Sequence, residues 1–251
     1  MLEHQYGTTD KLRARITLHE RFSTSAQRWP DWVFEHYAFP ENADVLEVGC
    51  GDGSIWLQNL DRIPAGWRLT LTDMSAGMVD AAREALGDRA TYAVADAQEL
   101  PFEDETFDAA IANHVLFHVP DRPRALGEVA RVLRTGGLLV GTMIGREHFK
   151  ETRALVGEES VIWSESRERF GLETARPQLE QFFVDVEIEP FPDSLEVTEV
   201  EPLLDFMRSL DTPGLTDEHL REIGRIADTE IRAKGAFHVT KASGRFQARK
   251  P

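Results

Sequence analysis

Cysteine is almost missing from this chain: Cys50 is the one thiol in 251 residues. It can close no internal disulfide, so a reducing, cytoplasmic setting is expected. No apolar run reaches the roughly 18 residues of a membrane-spanning helix, so no membrane partner is expected. The start, Met1-Leu2-Glu3-His4-Gln5, has neither a basic segment nor an apolar one, and no signal peptide is read. Positive charge is scarce: 28 Lys and Arg face 44 Asp and Glu, a formal net charge of −16. Such a chain repels a phosphate backbone, so DNA and RNA are not expected as partners. His, Cys and carboxylate residues nowhere fall at metal-ligand spacing, and no metal is expected. Internal repeats and low-complexity linkers are also lacking.

Glycine is present where it matters. Asp44 to Ser54 reads D-V-L-E-V-G-C-G-D-G-S. A short apolar strand, Val45 to Val48, turns through Gly49, Gly51 and Gly53 into a helix starting near Ser54. Glycine serves where φ is positive or where a ligand must approach the backbone. A strand, a glycine turn and a helix N-terminus together make a nucleotide-type site. The dinucleotide fingerprint G-x-G-x-x-G is not met, because Gly53 comes one residue early and Ser54 stands in its place. Glu47, two residues before the first glycine, would repel a pyrophosphate and attract an ammonium group.

Around this stretch the chain alternates strand and helix, which predicts a doubly wound, mostly parallel α/β sheet. Expected strands are Asp44–Val48, Arg68–Thr72, Ala90–Ala95, Phe107–Ala112 and Leu138–Ile144. Between them lie helices from Ser54 to about Asp61, from a Ser75 cap through Leu86, and from an Asp121 cap through Leu133, closed by Gly136-Gly137. Before them, residues 1–43 form an arm. Thr8, Thr9 and Asp10 offer helix caps, Leu12, Ile16 and His19 follow at helical spacing, and a second helix spans Pro30 to Tyr37. The arm carries Phe22, Trp29, Trp32, Phe34, Tyr37 and Phe39, most of them read as packing. After Gly145 the rhythm breaks. Residues 146–172, with Phe149, Ile162, Trp163 and Phe170, announce no clear element. A helix over Ala175–Phe183, a strand over Val184–Glu189, a helix over Val200–Leu210 and one from a Thr216 cap to Lys234 follow. Leu195–Thr198 and Arg245–Ala248 compete for the last place in the sheet. One domain is expected over 1–251, with arm or lid 1–43, core 44–145, and cap elements and last strands 146–251.

Open parallel sheets bind ligands beyond the carboxyl ends of their strands. Glu47 and the glycines end strand one. Asp73 ends strand two, 20 residues after Gly53, where a carboxylate can accept from ribose hydroxyls. Asp96-Ala97-Gln98 end strand three, where an acid can accept from an adenine amino group. Asn113-His114 end strand four. Four successive polar strand ends are hard to explain as solvation alone.

V-L-E-V-G-C-G-D-G-S, L-T-D-M-S, V-A-D-A-Q-E-L-P-F, F-D-A-A-I-A-N-H-V-L-F-H-V and R-V-L-R-T-G-G-L-L-V resemble, in order and spacing, the class I S-adenosylmethionine-dependent methyltransferases. They look most like the small-molecule branch that includes the ubiquinone/menaquinone methyltransferases. The likeness covers roughly residues 42–145. It implies a Rossmann-like, seven-stranded fold with a helical cap. It also implies that Glu47, Gly49, Cys50 and Gly51 lie at the methionine end of the cofactor, Asp73 at its ribose, and Met74 against its adenine. Asp96 and the Ala97 backbone would read the adenine edge, and Asn113 would line the methionine part through its backbone. His118, in F-H-V-P-D, reads as structural.

The activity this implies is transfer of the cofactor's methyl group to a small-molecule acceptor by in-line displacement, leaving S-adenosylhomocysteine. Positioning alone does much of that work, because the sulfonium is already activated. A hydroxyl acceptor would profit from a base, for which His114 and His19 are the candidates. The lone cysteine argues against arsenite as acceptor. Asn113-His114-Val115-Leu116 stands where enzymes that methylate amides or nucleic-acid amines carry an N-P-P-Y type motif. A nicotinamide-linked oxidoreductase and a non-catalytic S-adenosylmethionine-binding protein are the alternatives. A monomer or a homodimer is expected.

Overall fold

The computed structural model describes residues 9–156, 169–210 and 215–251. Thr8, Ile162 and Trp163, used in the sequence reading, lie outside them. The chain divides into two compact units. One takes the described residues of Met1–Ala26, Gly145–Glu168 and Phe191–Ala242; the other takes Gln27–Ile144, Arg169–Pro190 and Ser243–Pro251. Residues 1–43, read as one arm, therefore divide at Ala26.

The larger unit holds a seven-stranded sheet of order β3-β2-β1-β4-β5-β9-β6. Its strands are β1 (Ala43–Val48), β2 (Trp67–Asp73), β3 (Ala90–Val94), β4 (Phe107–Asn113), β5 (Leu133–Ile144), β6 (Val184–Pro190) and β9 (Ser243–Arg249). β1 to β5 run parallel, and β9 lies antiparallel between β5 and β6. The order reverses at β1, whose neighbours are β2 and β4, and this makes the switch point of an open α/β sheet. The central strands read as apolar runs because both faces are covered: Leu46, Leu71, Ile111 and Leu139 are fully buried.

The competition for the last place in the sheet is settled here. Ser243–Arg249 pairs with β5 along its carboxyl half, from Leu138↔Arg249 to Ile144↔Ser243. Leu195 instead belongs to β7 (Asp193–Val197), which forms a two-stranded antiparallel sheet with β8 (Phe237–Lys241) in the other unit. In that unit Leu18 and Phe22 of α1 (Thr9–Phe22) share a core with Leu203, Phe206, Ile223 and Val239.

Several local expectations are corrected. The helix after Asp121, Arg122–Val132, ends before Leu133, and Gly136-Gly137 lies inside the long strand β5 rather than closing the helix. Asp121 does cap that helix, accepting from the Arg124 amide at 3.1 Å. Ser75 stands at the N-cap of Ala76–Leu86, but its hydroxyl caps nothing; the Ser75 amide is instead held by Asp73 Oδ1 at 2.8 Å. The helix after the glycine turn is only Ser54–Gln58, followed by a 3-10 turn, Leu60–Arg62. Thr216 caps Asp217–Lys234 in a reciprocal box with His219, and Gly235 ends it in the left-handed region at φ 93°.

Candidate active site

The glycine turn is left-handed at every glycine: φ is 72° at Gly49, 56° at Gly51 and 74° at Gly53. The three face different surroundings. A Cβ on Gly49 would stand 2.4 Å from Val115 Cγ2, and one on Gly53 would stand 3.0 Å from Leu86 Cδ1. A Cβ on Gly51 would meet nothing within 4 Å. Gly49 and Gly53 thus serve packing, and Gly51 keeps backbone bare toward open space. The expected helix N-terminus contributes less than the sequence suggests. Its helix is a turn and a half long, and Asp52 Oδ1 already takes the Ser54 amide at 3.1 Å.

Asp73, at the end of β2, ties the turn to its neighbour. Oδ2 accepts from the Gly51 amide at 3.0 Å and Oδ1 from the Ser75 amide at 2.8 Å. A carboxylate has about four acceptor positions, so capacity remains for two hydroxyls. Met74, next along, is 59 % exposed. Asp96 holds the Gln98 amide at 2.9 Å and its side-chain nitrogen at 3.0 Å, and Ala97 beside it is buried. Gln98 Oε1 accepts from the Asp121 amide at 3.0 Å, which fixes this corner to the start of the next helix.

Glu47, read from sequence as an acid at the end of strand one, has a buried side chain. Oε2 accepts from the Trp56 indole at 2.5 Å and Oε1 from Asn113 Nδ2 at 3.1 Å. Glu47 pairs in register with Ile111, and Asn113 two residues further on β4 shares that face, which is why the two side chains meet. Asn113 Nδ2 also donates to the Tyr37 hydroxyl at 2.7 Å. Burial pushes the Glu47 carboxyl up to about 7, with Trp56 and Asn113 opposing and Asp73 adding to the rise. Tyr37, buried beside it, is held well above the usual phenol range by desolvation and by Glu47. Cys50 is half-buried, and burial with Glu47 and Asp73 pushes its thiol up, so it is an inert packing group. Tyr37 and Trp56 belong to this site and were read from sequence as arm packing or not singled out. Nothing local marks them, since their partners come from β1 and β4.

The two histidines part company. His114 follows β4 at φ 50°, its amide donating to Thr142 O at 3.0 Å and its ring 5.5 Å from that of Trp29. His19 lies in the other unit, its ring edge-on to Phe149 at 5.7 Å and Phe206 at 5.9 Å. His118 is pulled down by burial and packs on Phe117, as a structural residue would. Among the described residues no group of His, Cys, Asp and Glu could hold a metal ion.

The bare backbone at Gly51, the spare acceptor capacity of Asp73 and a buried Asn113 Oδ1 with no hydrogen-bond partner fit a cofactor that brings hydroxyls and an ammonium. Comparison with known proteins agrees. The family model described as a methyltransferase domain matches residues 46–141. The malonyl-[acyl-carrier protein] O-methyltransferase of Geobacter sulfurreducens is 36% identical over 116 residues, 45% of this chain and 43% of that protein. The ubiquinone/menaquinone biosynthesis C-methyltransferase UbiE of Idiomarina loihiensis is 32% identical over 114 residues, 43% of this chain and 45% of that protein. The chain thus spans about half the length of the curated relatives it matches. A solved Haemonchus contortus phosphoethanolamine N-methyltransferase 2, bound to phosphomonomethylethanolamine and S-adenosylhomocysteine, superposes with TM-score 0.62 at 20% identity, covering 99% of this chain and 59% of that one. Residues 46–141 thus resemble a methyltransferase domain, and the sheet that carries them shares its fold with solved methyltransferases.

Proposed function

We propose that the protein transfers the methyl group of S-adenosylmethionine to a small-molecule acceptor. The observation that carries this is the bond between the Gly51 amide and Asp73: it joins bare turn backbone to an acid at the neighbouring strand end, beside the switch point. Asp73 would accept from the ribose hydroxyls, Met74 would cover the adenine, and Asp96 with the Ala97 backbone would read its edge. Gly49, Cys50 and Gly51 would shape the methionine end, with Glu47 supplying negative charge from behind and Asn113 lining the same part. S-adenosylmethionine supplies a methyl on a sulfonium, a leaving group that needs no further activation. The chain's part is then to hold acceptor and cofactor in line and to keep water out.

A hydroxyl acceptor would need a proton removed. His114, held by its backbone bond to Thr142 and its contact with Trp29, is the better placed of the two candidate bases. His19 has the surroundings of a packed ring, and His114 carries the proposal. The three named relatives methylate at oxygen, carbon and nitrogen by their names, so they do not choose the acceptor atom. The acid-rich composition supports a small acceptor over nucleic acid. No described helix is long and apolar enough to cross a membrane. A cytoplasmic monomer or homodimer is part of the proposal. A nicotinamide oxidoreductase is disfavoured by the charge of Glu47 behind the turn and by Ser54 in place of the third glycine.

The test is transfer of labelled methyl from S-adenosylmethionine into a fractionated cell extract, with Asp73→Ala as control. Label in the small-molecule fraction, lost in the variant, is the expected result. Label only in protein or nucleic acid would overturn the acceptor class. No label, with cofactor bound, would leave a non-catalytic binding protein.

A further inference from the structure

The corner after β3 is built around the side chain of Gln98. Residues 96–99 make a tight turn, closed by the Glu99 amide on Asp96 O at 3.0 Å. That turn brings Gln98 back over Asp96. The Gln98 backbone amide donates to Asp96 Oδ1 at 2.9 Å. Its side-chain nitrogen stands 3.0 Å from Oδ1 and 3.0 Å from Oδ2, astride the carboxylate. Its side-chain oxygen accepts from the Asp121 amide at 3.0 Å. Asp96 and Gln98 are both half-buried, so a ligand can reach the pair and water screens it only in part.

The two neighbours settle the direction of the Gln98 amide. The Asp121 N–H can only donate, and a carboxylate oxygen accepts. Turning the amide over would set N–H against N–H and oxygen against carboxylate. Gln98 therefore carries an orientation from the helix Arg122–Val132 to Asp96. That helix is itself fixed to the same corner. Glu128 Oε2 accepts from the Leu100 amide at 2.8 Å, and the Arg131 guanidinium donates to Leu100 O at 3.0 Å and to Phe102 O at 2.7 Å. Other side chains cannot replace the bridge. Asparagine is one carbon shorter, and glutamate has the length but no N–H to offer.

Oδ1 of Asp96 takes the backbone amide and a share of the side-chain nitrogen, so more of the free acceptor capacity is left on Oδ2. A ligand group that meets Oδ2 must donate. An amino group donates, and a carbonyl oxygen does not. Resting on the proposed cofactor reading, we infer that Gln98 is a positioning residue that sets base selectivity. By fixing the Asp96 carboxylate, it makes the site take a 6-aminopurine cofactor and refuse its 6-oxo counterpart. Gln98 touches no ligand in this scheme and acts through Asp96. A site shaped to accept from an N–H group rejects an analogue that lacks it, provided the acceptor cannot swing away.

The experiment is calorimetry on the full chain with two probes, S-adenosylhomocysteine and S-inosylhomocysteine. In the second, a carbonyl replaces the purine amino group. The wild type should bind the first at least about tenfold more tightly. Gln98→Leu should lower affinity for S-adenosylhomocysteine about tenfold and leave affinity for S-inosylhomocysteine unchanged, so that the ratio narrows. Gln98→Glu keeps the length and an acceptor for the Asp121 amide but sets oxygen against Asp96. It should narrow the ratio in the same way, and it decides where Gln98→Leu does not fold. A ratio that stays put in the variants, whether both affinities fall together or neither moves, overturns the inference and leaves the methyl-transfer reading standing. A wild type that binds both probes alike does the same. A wild type that binds neither overturns the cofactor reading as well.

Discussion

The Trp56 indole N–H donates to the buried carboxylate of Glu47 at 2.5 Å, joining the helix after the glycine turn to the strand before it. That bond closes the turn from behind and is one of two that Glu47 accepts from side chains. Trp56→Phe keeps the ring and removes the donor. The expected loss is about 1–3 kcal/mol of stability, greater above neutral pH, where the carboxylate is charged and short of a donor. Urea denaturation at two pH values measures it, and an equal loss at both would refute the electrostatic part.

Glu47 also sets a pH dependence whose sign can be worked out. Its carboxyl goes from 4.5 to about 7 on folding. Between those values the folded state holds more protons than the unfolded one, so stability falls as pH rises through this window. The span corresponds to about 3 kcal/mol. Glu47→Gln should flatten that part of the profile, which denaturation of both proteins from about pH 4 to pH 8 would reveal. Parallel profiles would mean that the carboxyl titrates normally.

Asp73→Ala should weaken S-adenosylmethionine binding by about 1.5–3 kcal/mol through loss of charged hydrogen bonds. The structure adds a second effect. The Gly51 and Ser75 amides lose their acceptor, so the fold should weaken as well. Calorimetry and thermal denaturation separate the two. Unchanged cofactor affinity would remove Asp73 from the ribose.

The three turn glycines should respond differently to alanine. Gly49→Ala brings a Cβ against Val115 and should destabilise the protein by several kcal/mol, partly restored by Val115→Ala. Gly51→Ala meets no atom and should cost only about 1 kcal/mol of backbone strain. Its effect should fall on cofactor affinity. Expression, melting temperature and titration with cofactor give the comparison, and a Gly51→Ala protein that binds normally would show that no ligand approaches there.

In the other unit, Asp193 and Lys241 form an ion pair with side chains 0% and 7% exposed. Asp193 also accepts from the Ser23 hydroxyl at 2.8 Å and from the Thr24 and Ser25 amides at 3.1 Å. Asp193→Ala leaves a buried cation without its partner and takes an acceptor from the Ser25 amide, while the Thr24 amide keeps its bond to Ser194 O at 2.9 Å. A loss of about 3–5 kcal/mol is expected. Hydrogen exchange should show faster exchange at Ser25, and unchanged exchange there would contradict the role.

The sequence determined the parallel sheet, the glycine turn and the row of polar strand ends, because these rest on local signals. Apolar runs of strand length, glycine at positive φ and acids at fixed spacing are properties of neighbouring residues. Asp73 was legible in that way as an acid at the end of its strand. What only the tertiary structure decided is where distant stretches meet. Arg245 and Leu195 both sit in strand-like segments, and long-range pairing rather than local pattern put the first in the main sheet beside β5 and the second in a two-stranded sheet with β8. Glu47 was legible as an acid two residues before the first glycine, and its surroundings were not. Its burial, its raised pKa and its bond to Asn113 come from the alignment of β1 beside β4, and its bond to Trp56 from the fold of the glycine turn. Tyr37 lies 76 residues from Asn113, and no spacing rule reaches that far.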